Sequence, residues 1–599
     1  MSVYHAPLAE MKFVLNELAG LKQVGELPGF EEATPDTVGA ILDEAAKFAT
    51  NVLDPLNISG DREGSTLQPD GSVKTPTGFK DAYRQYIENG WNGLTKNPEF
   101  GGQGLPQVVA TPVEEMWHSA NMAFDLCPLL TQGAIEAVEL CGTPEQKATY
   151  LPKMVDGTWT GTMNLTEPQA GSDLAAVRTR AVPQGDGSYK LFGQKIFITY
   201  GEHDFTENIV HLVLARTPDA PEGVKGISLF IVPKFLVNPD GSLGARNDVH
   251  CVSLEHKLGI HASPTAVLAY GDKGGAVGYL IGQENRGLEY MFIMMNLARF
   301  SVGVEGVGIS ERAYQRAVAF ARERVQGKPP GMEKMAAGPI IEHPDIRRML
   351  MTMRALTESM RAVAYVTAAA LDNAHRHPDA EMRKRHQAFV DLMIPIVKGW
   401  STEAAQEVTY LGVQVHGGMG FIEETGAAQH YRDARIITIY EGTTGIQAND
   451  LIGRKTARDG GAVARQVAAD IDKVAAHLAA STEAPLRAIG LRLAAATSSL
   501  QEAIEWVVKT YGTNVRAAHA AAVPYLKLWG LAAGGWQLGR AALLAQAKLD
   551  VNVGDEEFLR AKIATARFYA ECLLPQAEAF GQSITGGSSA ALALAANQF

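Results

Sequence analysis

The sequence contains few cysteines, and their spacing argues against two common kinds of site. The four cysteines lie far apart and form no CxxC pair or metal-ligand spacing. Isolated cysteines usually behave as small apolar residues, so we expect reduced, mostly buried thiols and no bound metal. This pattern favours the cytoplasm, where thiols stay reduced. The cysteines are Cys127, Cys141, Cys251 and Cys572.

The sequence also lacks basic clusters and long apolar runs. The net charge is -12 at pH 7 and no basic patch stands out, so nucleic acid is not expected as the main ligand. The first ten residues lack the charged and then apolar pattern of a secretion signal. No uninterrupted apolar run reaches the length of a membrane span. We therefore expect a cytoplasmic protein without a transmembrane segment.

The chain has enough residues for several hydrophobic cores. Its 599 residues exceed what one core can organise, and the length predicts about four domains. The hydrophobic content of 46% and the charged content of 20% are ordinary for a globular protein. Composition alone therefore indicates an ordinary multidomain protein.

The order of periodic segments predicts an α+β fold, in which helical domains flank a β domain. Short β-branched or alternating segments recur between turns, with Asp186-Gly187 as a hairpin signal. These strand segments are 189–192, 195–199, 209–215, 227–232 and 266–270. We also expect a loop over 54–76 and a loosely ordered tail over 581–599. The predicted domains are an N-terminal extension (1–36), a helical domain (37–159), an antiparallel β domain (160–282), a helical bundle (283–454) and an additional helical domain (463–599).

One candidate for chemistry is the stretch from Tyr431 to Gln447. A β-branched run ends in Tyr440 and Glu441, and Gly442 with two hydroxyl residues then suits a tight turn leading into a helix. An apolar setting raises the pKa of a glutamate toward the range of a useful proton acceptor. Alternatively, Glu441 is a first-turn residue that the helix dipole stabilises.

A second candidate is the loop from Met163 to Asp173. Its small residues let backbone amides approach a ligand closely, and Thr166 and Ser172 offer hydroxyl donors. Such groups can hold an electron-rich ring edge or a phosphate. The alternative is a loop rich in glycine and proline, with hydroxyls that cap the backbone.

Two further motifs follow in the second helical region. Arg324 opens an Arg-x-x-Gly element, and its guanidinium could engage two phosphate oxygens at once or simply lie exposed at the surface. The segment from Gln414 to Phe421 holds three glycines, which allow close approach to a ligand or form a turn at a helix C-terminus. His416 within it is interpreted as structural.

These motifs together resemble those of the acyl-CoA dehydrogenases over roughly residues 91–450. The resemblance implies FAD as cofactor, Glu441 as the base that removes the α-proton, and hydride transfer from the β-carbon to flavin N5. The expected product is a trans-2-enoyl-CoA. The resemblance implies as FAD-binding residues Met163, Leu165, Thr166, Gly171, Ser172, Phe197, Ile198, Thr199, Arg324, Gln414, Gly417, Gly418 and Thr443. It implies as substrate-binding residues Ser172, Asn296, Arg299, Tyr440, Glu441 and Gly442.

The sequence departs from the family pattern at several positions. Asn296 stands where an acidic partner of Arg299 is usual, and Gly445 stands where many members carry glutamine. Some members carry the base one residue before the arginine that matches Arg299, but here that residue is Ala298. A loop over 328–339 is inserted relative to the family. Glu441 is therefore the expected base.

The additional C-terminal helical domain is similar to that of a large bacterial branch of the family. This branch includes 3-(methylthio)propanoyl-CoA dehydrogenases and long-chain fatty acyl-CoA dehydrogenases. The resemblance implies an acyl-CoA substrate, an electron-transferring flavoprotein as electron acceptor, and a homodimer or a dimer of dimers. Two alternatives remain at this point: an acyl-CoA oxidase that uses oxygen, and a non-catalytic helical scaffold.

Overall fold

The computed structural model describes residues 3–331 and 337–599. Part of the inserted loop predicted over 328–339 therefore lies outside the described residues. The chain divides into two compact units. The helical unit comprises Met1–Ala46, Pro106–Ser119 and Val302–Phe599, and the sheet unit comprises Lys47–Leu105 and Ala120–Ser301.

Helices dominate both ends of the chain. In chain order they are α1 (Leu8–Phe13), α2 (Leu21–Gly25), α3 (Pro35–Phe48), α4 (Asp54–Glu63), α5 (Phe79–Glu88), α6 (Gln107–Cys141), α7 (Pro144–Val155), α8 (Gly287–Glu323), α9 (Pro344–Arg376), α10 (Ala380–His416), α11 (Ala427–Ala434), α12 (Thr444–Ile452), α13 (Ala462–Ala479), α14 (Ala484–Thr513), α15 (Val515–Ala520), α16 (Ala522–Asp550), α17 (Glu556–Phe568) and α18 (Gln576–Gly587). Short π-helical segments extend several of them, at Val14–Ala19, Ala49–Leu53, Gly453–Ala457 and Tyr569–Leu573.

The strands lie in the sheet unit. They are β1 (Thr66–Leu67), β2 (Val73–Lys74), β3 (Trp159–Asn164), β4 (Arg180–Pro183), β5 (Tyr189–Thr199), β6 (Asn208–Ala215), β7 (Ser228–Pro233), β8 (Phe235–Val237), β9 (Leu243–Arg246), β10 (Val249–Leu254), β11 (Thr265–Tyr270) and β12 (Ala276–Ile281). The main sheet has the order β10-β11-β5-β12-β7-β6-β3, and β4 pairs with β5. Strands β1 and β2 form one separate ribbon, and β8 and β9 form another.

The predicted strands are confirmed, with two corrections. The segments 189–192 and 195–199 form the single strand β5, and the hairpin predicted at Asp186-Gly187 joins it to β4. The sheet is not wholly antiparallel, because β3 pairs with β6 in parallel. Both of these strands are buried along their whole length, as is usual where strands run parallel.

Two predicted irregular segments are partly helical. The loop expected over 54–76 contains α4 and the β1–β2 hairpin. Pro55 lies in the first turn of α4, which continues from α3 through the π-helical turn Ala49–Leu53, so the helix passes this proline by a wider turn instead of ending there. The tail expected from residue 581 is also helical at first, because α18 continues to Gly587.

Helices α8 and α10 cross closely within the helical unit. A Cβ atom built on Gly303 would lie 2.7 Å from the Val397 carbonyl oxygen, and one on Gly306 would lie 2.9 Å from that of Ser401. Only glycine permits this approach. The part of α8 that follows Val302 therefore packs directly against the backbone of α10.

Buried ion pairs connect distant segments of the helical unit. The Arg361 guanidinium of α9 lies 2.6 Å from carboxylate oxygens of both Glu115 and Glu311. The Lys562 ammonium of α17 lies 2.6 Å from Glu10 of α1 and 2.7 Å from Glu358 of α9. The second cluster ties the first helix and the C-terminal domain to the same core helix.

One helix among the described residues, α8, could cross a membrane by its length and composition alone. Most of its apolar window, 78%, is buried inside the protein, and a core helix passes the same test. Burial against α10 accounts for its apolar character.

The Lys562 cluster predicts a large effect on stability. Lys562→Met keeps the length of the side chain but leaves two buried carboxylates without this cation, so we expect a loss of about 3–5 kcal/mol in the free energy of unfolding. Lys548→Met is the control, because the Lys548–Glu17 pair also holds the N-terminal segment but is partly exposed. It should cost under about 1 kcal/mol. Equal losses in denaturant titrations of both variants would contradict this prediction.

Candidate active site

The Glu441 turn belongs to the helical unit, between the 3-10 segment Arg435–Thr438 and α12. Thr443 is the N-cap of α12, and its hydroxyl oxygen accepts a hydrogen bond from the Ile446 amide at 3.3 Å. The predicted turn and helix are confirmed. Glu441 precedes the N-cap by two residues, so it is not a first-turn residue, and the helix-dipole interpretation is wrong in that respect.

The backbone of the turn is left-handed at two consecutive residues. Glu441 has φ +53° and Gly442 has φ +91°. A Cβ atom on Gly442 would also lie 2.6 Å from the Gln447 amide nitrogen, so glycine is needed there for two reasons. A bulky residue in this region costs on the order of 1–3 kcal/mol and persists only when its surroundings fix it.

Two buried side chains fix the turn. The Lys398 ammonium of α10 donates a 2.7 Å hydrogen bond to the Gly442 carbonyl oxygen. The Gln447 side-chain amide donates to the carbonyl oxygens of Glu441 at 3.2 Å and Gly442 at 3.3 Å. Tyr440 is held from the other side, because its hydroxyl donates to the Glu305 carboxylate on α8.

The segment from Met163 to Asp173 belongs to the sheet unit; Met163 and Asn164 are the last residues of β3, and the loop itself starts at Leu165. Met163 is buried, Leu165 and Thr166 are partly exposed, and Gly171 and Ser172 are exposed. A Cβ atom on Gly171 would meet no protein atom within 4 Å. This side of the loop is therefore open to a ligand.

A buried ion pair holds the loop in place. Lys195 of β5 donates to the Leu165 carbonyl oxygen at 3.0 Å and to Glu167 Oε1 at 2.8 Å. Glu167 also accepts hydrogen bonds from the Thr179 hydroxyl at 2.6 Å and the Arg178 amide at 2.8 Å. Burial opposes ionisation, but Lys195 and these hydrogen bonds lower the pKa of Glu167 to about 2. Glu167 is thus an anchor that stays ionised at neutral pH.

Phe197 points out of the sheet because β5 is irregular there. The register between β5 and β11 shifts around it, and Phe197 has φ +60°. A β-bulge of this kind re-aims a side chain, and the Phe197 ring is 58% exposed. Its neighbours differ, since Ile198 is buried and Thr199 is partly exposed.

The groups presented by the sheet unit fit a flavin. An exposed aromatic ring provides a flat apolar surface, and hydroxyl groups provide donors for a polar ring edge. Thr166 and Thr199 are partly exposed, as is required of groups that contact a bound cofactor. Of the three apolar residues predicted to contact the flavin, Leu165 is accessible in this chain. Met163 and Ile198 are buried.

The glycine motif ends α10 in the helical unit. Gly417 has φ +58° and caps the helix, whereas a Cβ on Gly420 would lie 2.3 Å from the Val413 carbonyl oxygen. The backbone conformation and packing therefore explain why glycine is needed at these two positions. Packing does not require glycine at Gly418, because a Cβ atom there would meet no atom within 4 Å. Gly418 and Gln414 are both exposed. The surface at Gly418 and Gln414 is available to another molecule.

His416 has a structural role, as predicted. Its ring stacks on Phe320 with centroids 4.4 Å apart, and Nδ1 lies 2.7 Å from the Gly412 carbonyl oxygen. Burial lowers the pKa of its imidazole.

The remaining predicted residues lie on or just after α8. Arg324 is exposed, and its guanidinium donates a 3.3 Å hydrogen bond to Gln326. Asn296 is exposed, whereas Arg299 is 4% exposed and its guanidinium lies 5.9 Å from the Phe292 ring centroid. Arg299 therefore combines burial with an aromatic contact within the sheet unit.

Sequence reasoning missed the side chains that hold these segments. Lys398 and Glu305 are single charged residues inside apolar helical runs. Lys195 is a buried residue of a strand. An isolated charge in an apolar run is a usable signal, because buried charges need partners. The sequence does not reveal which partner each one binds.

Sequence models of four domains match the chain in succession. They describe the acyl-CoA dehydrogenase N-terminal domain at residues 35–158, the middle domain at 162–272 and the C-terminal domain at 285–455. A fourth, described as acetyl-CoA dehydrogenase C-terminal like, matches residues 464–595. The extra helical domain therefore also has counterparts in related proteins.

Individual proteins agree with these matches. The chain is 52% identical to 3-methylmercaptopropionyl-CoA dehydrogenase of Ruegeria pomeroyi over 97% of this chain and 98% of the relative. It is 36% identical to a broad-specificity linear acyl-CoA dehydrogenase of Mycobacterium tuberculosis, over 96% of each chain. An acyl-CoA dehydrogenase from Bacillus anthracis, solved with FAD, has a similar fold with TM-score 0.74 and 22% identity, over 98% of this chain and 93% of that one. The predicted α+β fold is confirmed, and the chain belongs to the acyl-CoA dehydrogenase family, whose members use FAD.

Proposed function

We propose that this acyl-CoA dehydrogenase oxidises a short acyl-CoA, with 3-methylmercaptopropionyl-CoA as the first candidate substrate. The observation that supports this substrate is the 52% identity to a dehydrogenase of that name over nearly the whole of both chains. Straight-chain acyl-CoAs are the second candidate, supported by the 36% identity to the broad-specificity linear enzyme.

Glu441 is the base in this proposal. Its carboxylate takes the α-proton of the thioester, and its backbone amide donates a hydrogen bond to the thioester oxygen as negative charge develops there. One preorganised donor is worth about 2.7–4 kcal/mol. Bound FAD would supply the acceptor for the hydride that leaves the β-carbon. The fixed turn at Glu441 and Gly442 serves both tasks, because it sets the position of the carboxylate and the amide together.

The cofactor is held in this proposal by the residues that present open surface. The sheet unit is proposed to bind FAD through the loop at Thr166 and Ser172 and the bulge at Phe197. Arg324 and the glycine turn at Gly418 are proposed to contact the FAD of a neighbouring subunit. Asn296, Arg299 and Tyr440 are proposed to contact the acyl-CoA.

Anaerobic titration of the purified protein with acyl-CoAs tests the function. We expect 3-methylmercaptopropionyl-CoA to bleach the flavin absorbance, and butyryl-CoA and octanoyl-CoA to show how far the pocket tolerates other chains. Admitting oxygen, or an electron-transferring flavoprotein, to the bleached protein then separates oxidase from dehydrogenase activity. A flavin-loaded protein that no acyl-CoA bleaches would contradict the proposal.

Changing Glu441 to glutamine should abolish bleaching without releasing the flavin. The substitution keeps the size of the side chain but removes the proton acceptor, so the rate of flavin reduction should fall by about 10²–10⁴-fold. Glu502→Gln is the control, since Glu502 is an exposed residue of α14. Stopped-flow absorbance measures both rates. A Glu441→Gln protein that is reduced at the wild-type rate would show that another residue is the base.

Arg324 should contribute to flavin retention. A guanidinium can engage two pyrophosphate oxygens, so Arg324→Ala should leave less FAD bound after gel filtration at low protein concentration. Arg322→Ala is the control, because Arg322 is also exposed and lies in the last turn of α8. Equal FAD to protein ratios in the two variants would remove Arg324 from the cofactor site.

We also propose that the protein is a cytoplasmic homodimer or dimer of dimers that passes electrons to an electron-transferring flavoprotein. Large apolar side chains lie exposed around the glycine turn, and Phe421 is 86% exposed. Exposed apolar surface next to a cofactor motif is typical of an interface. The other exposed residues of this surface are Tyr410, Met419 and Ile422. The four cysteines are free, which agrees with a reducing compartment.

Placing a charge on this apolar surface should weaken assembly. Phe421→Asp is expected to shift the molar mass from light scattering toward the monomer, because an aspartate would be desolvated at the interface. Val551→Asp is the control, since Val551 is a 66% exposed residue of the C-terminal domain. Unchanged assembly of Phe421→Asp would exclude this surface as the interface.

A further inference from the structure

Glu305 is a buried carboxylate next to the turn that carries Glu441. It lies on α8 with no exposed surface, and its Oε2 accepts a hydrogen bond from the Tyr440 hydroxyl. Tyr440 directly precedes Glu441, so the contact reaches the turn through one peptide group. The family motifs in the sequence do not include Glu305.

The packing of α8 against α10 places Glu305 in this position. Gly303 and Gly306 lie on the face of α8 that meets the backbone of α10 at Val397 and Ser401, and Glu305 lies on the adjacent side of the same helical turn. Lys398 belongs to the same turn of α10 and binds the Gly442 carbonyl oxygen at 2.7 Å. Glu305 and Lys398 therefore approach the Glu441 turn from two packed helices.

The surroundings of Glu305 favour its protonated form. Among the described residues its Oε1 has no hydrogen-bond partner, and an ionised carboxylate with a bare buried oxygen is costly. Burial raises the pKa of the Glu305 carboxyl to about 8, while the Tyr440 hydrogen bond and the Lys398 charge lower it and the Glu441 charge raises it. These three groups are the ones that face it, from the turn and from α10.

We propose that Glu305 is a positioning residue that holds Tyr440 in place and, by keeping or losing one proton, sets how strong a base Glu441 is. The inference rests on the proposed role of Glu441. When Glu305 is protonated, Glu441 is the negatively charged member of this pair. Without this proton, Glu305 and Glu441 are both negatively charged.

The direction of the effect follows from reciprocity. If the charge on Glu441 raises the pKa of Glu305, then the charge on Glu305 must raise the pKa of Glu441 by the same amount. A base with a higher pKa removes a proton faster once it is ionised. The rate of flavin reduction should therefore rise as pH increases through about 8. The two carboxyls titrate as a coupled pair, so the rise in rate near this pH reflects the titration of both groups.

The test compares the pH profile of flavin reduction in two isosteric variants. At saturating acyl-CoA, the wild-type rate constant should rise roughly twofold to tenfold between pH 7 and 9, because a shift of one unit in the pKa of a base changes its rate by at most tenfold. Glu305→Gln should lose this rise. Asp372→Asn is the matched control and should keep it, because Asp372 is also a buried carboxyl of raised pKa but accepts hydrogen bonds from Gln107 and Val108, away from the turn.

A second measurement does not depend on activity. A carboxyl whose pKa is raised on folding contributes stability that is lost as pH rises from its unfolded to its folded value. The melting temperature of Glu305→Gln relative to the wild type should therefore increase from pH 5 to about 8 and then level off. A constant difference would overturn the proposed proton on Glu305, even if no acyl-CoA bleached the wild-type flavin and the proposed function failed.

Tyr440→Phe extends the test in case Glu305→Gln does not fold. The Tyr440 hydrogen bond lowers the pKa of Glu305, so its removal should move the rise in rate to higher pH. A Glu305→Gln profile that superimposes on the wild type, or an unmoved step in Tyr440→Phe, would overturn the inference. In either case bleaching of the wild-type flavin would leave the proposed function intact.

Discussion

The buried ammonium of Lys398 donates a 2.7 Å hydrogen bond to the Gly442 carbonyl oxygen, and the conformation of the Glu441 turn depends on this contact. Two needs meet here. A buried cation requires an acceptor, and a left-handed glutamate requires surroundings that hold it against a cost of about 1–3 kcal/mol. The carbonyl oxygen of the turn satisfies the cation, and the cation keeps the turn in the conformation that presents this oxygen. Gln447 adds two further hydrogen bonds to the same backbone.

The sheet unit uses the same arrangement around its own ligand loop. Lys195 is buried, binds the Leu165 carbonyl oxygen and pairs with Glu167, and the loop that presents Thr166 is fixed as a result. In both units a single buried lysine binds a backbone carbonyl in the segment that carries predicted site residues. A lysine on a rigid strand or helix can in this way fix the position of an irregular segment.

The parts of the site that could be predicted are those whose structure is determined by the residues of one short segment. The turn at Glu441 and the helix after it follow from local residue types, and so do the hairpin before β5 and the glycine cap at Gly417. Lys398 lies 44 positions from Gly442, and Glu305 lies 135 positions from Tyr440. No local pattern encodes such a pairing. The helix at Pro55 was missed for a related reason, since a π-helical turn, Ala49–Leu53, carries the helix past this proline and the local residue types do not reveal it.

Lys398 also affects the Glu305 carboxyl, because its positive charge lowers the pKa of that group. Glu305 is buried and Glu441 is partly exposed, so desolvation favours the neutral form of Glu305 more than that of Glu441. Lys398 supplies a positive charge that favours one ionised group. The hydrogen bond to the Gly442 carbonyl oxygen fixes this ammonium beside the backbone of the turn. An arginine is a poor replacement, since a planar guanidinium brings five donors to a buried position where the ammonium has three. This lysine therefore acts on the turn in two ways: it holds the Gly442 carbonyl oxygen, and it places a positive charge near the Glu305 carboxyl.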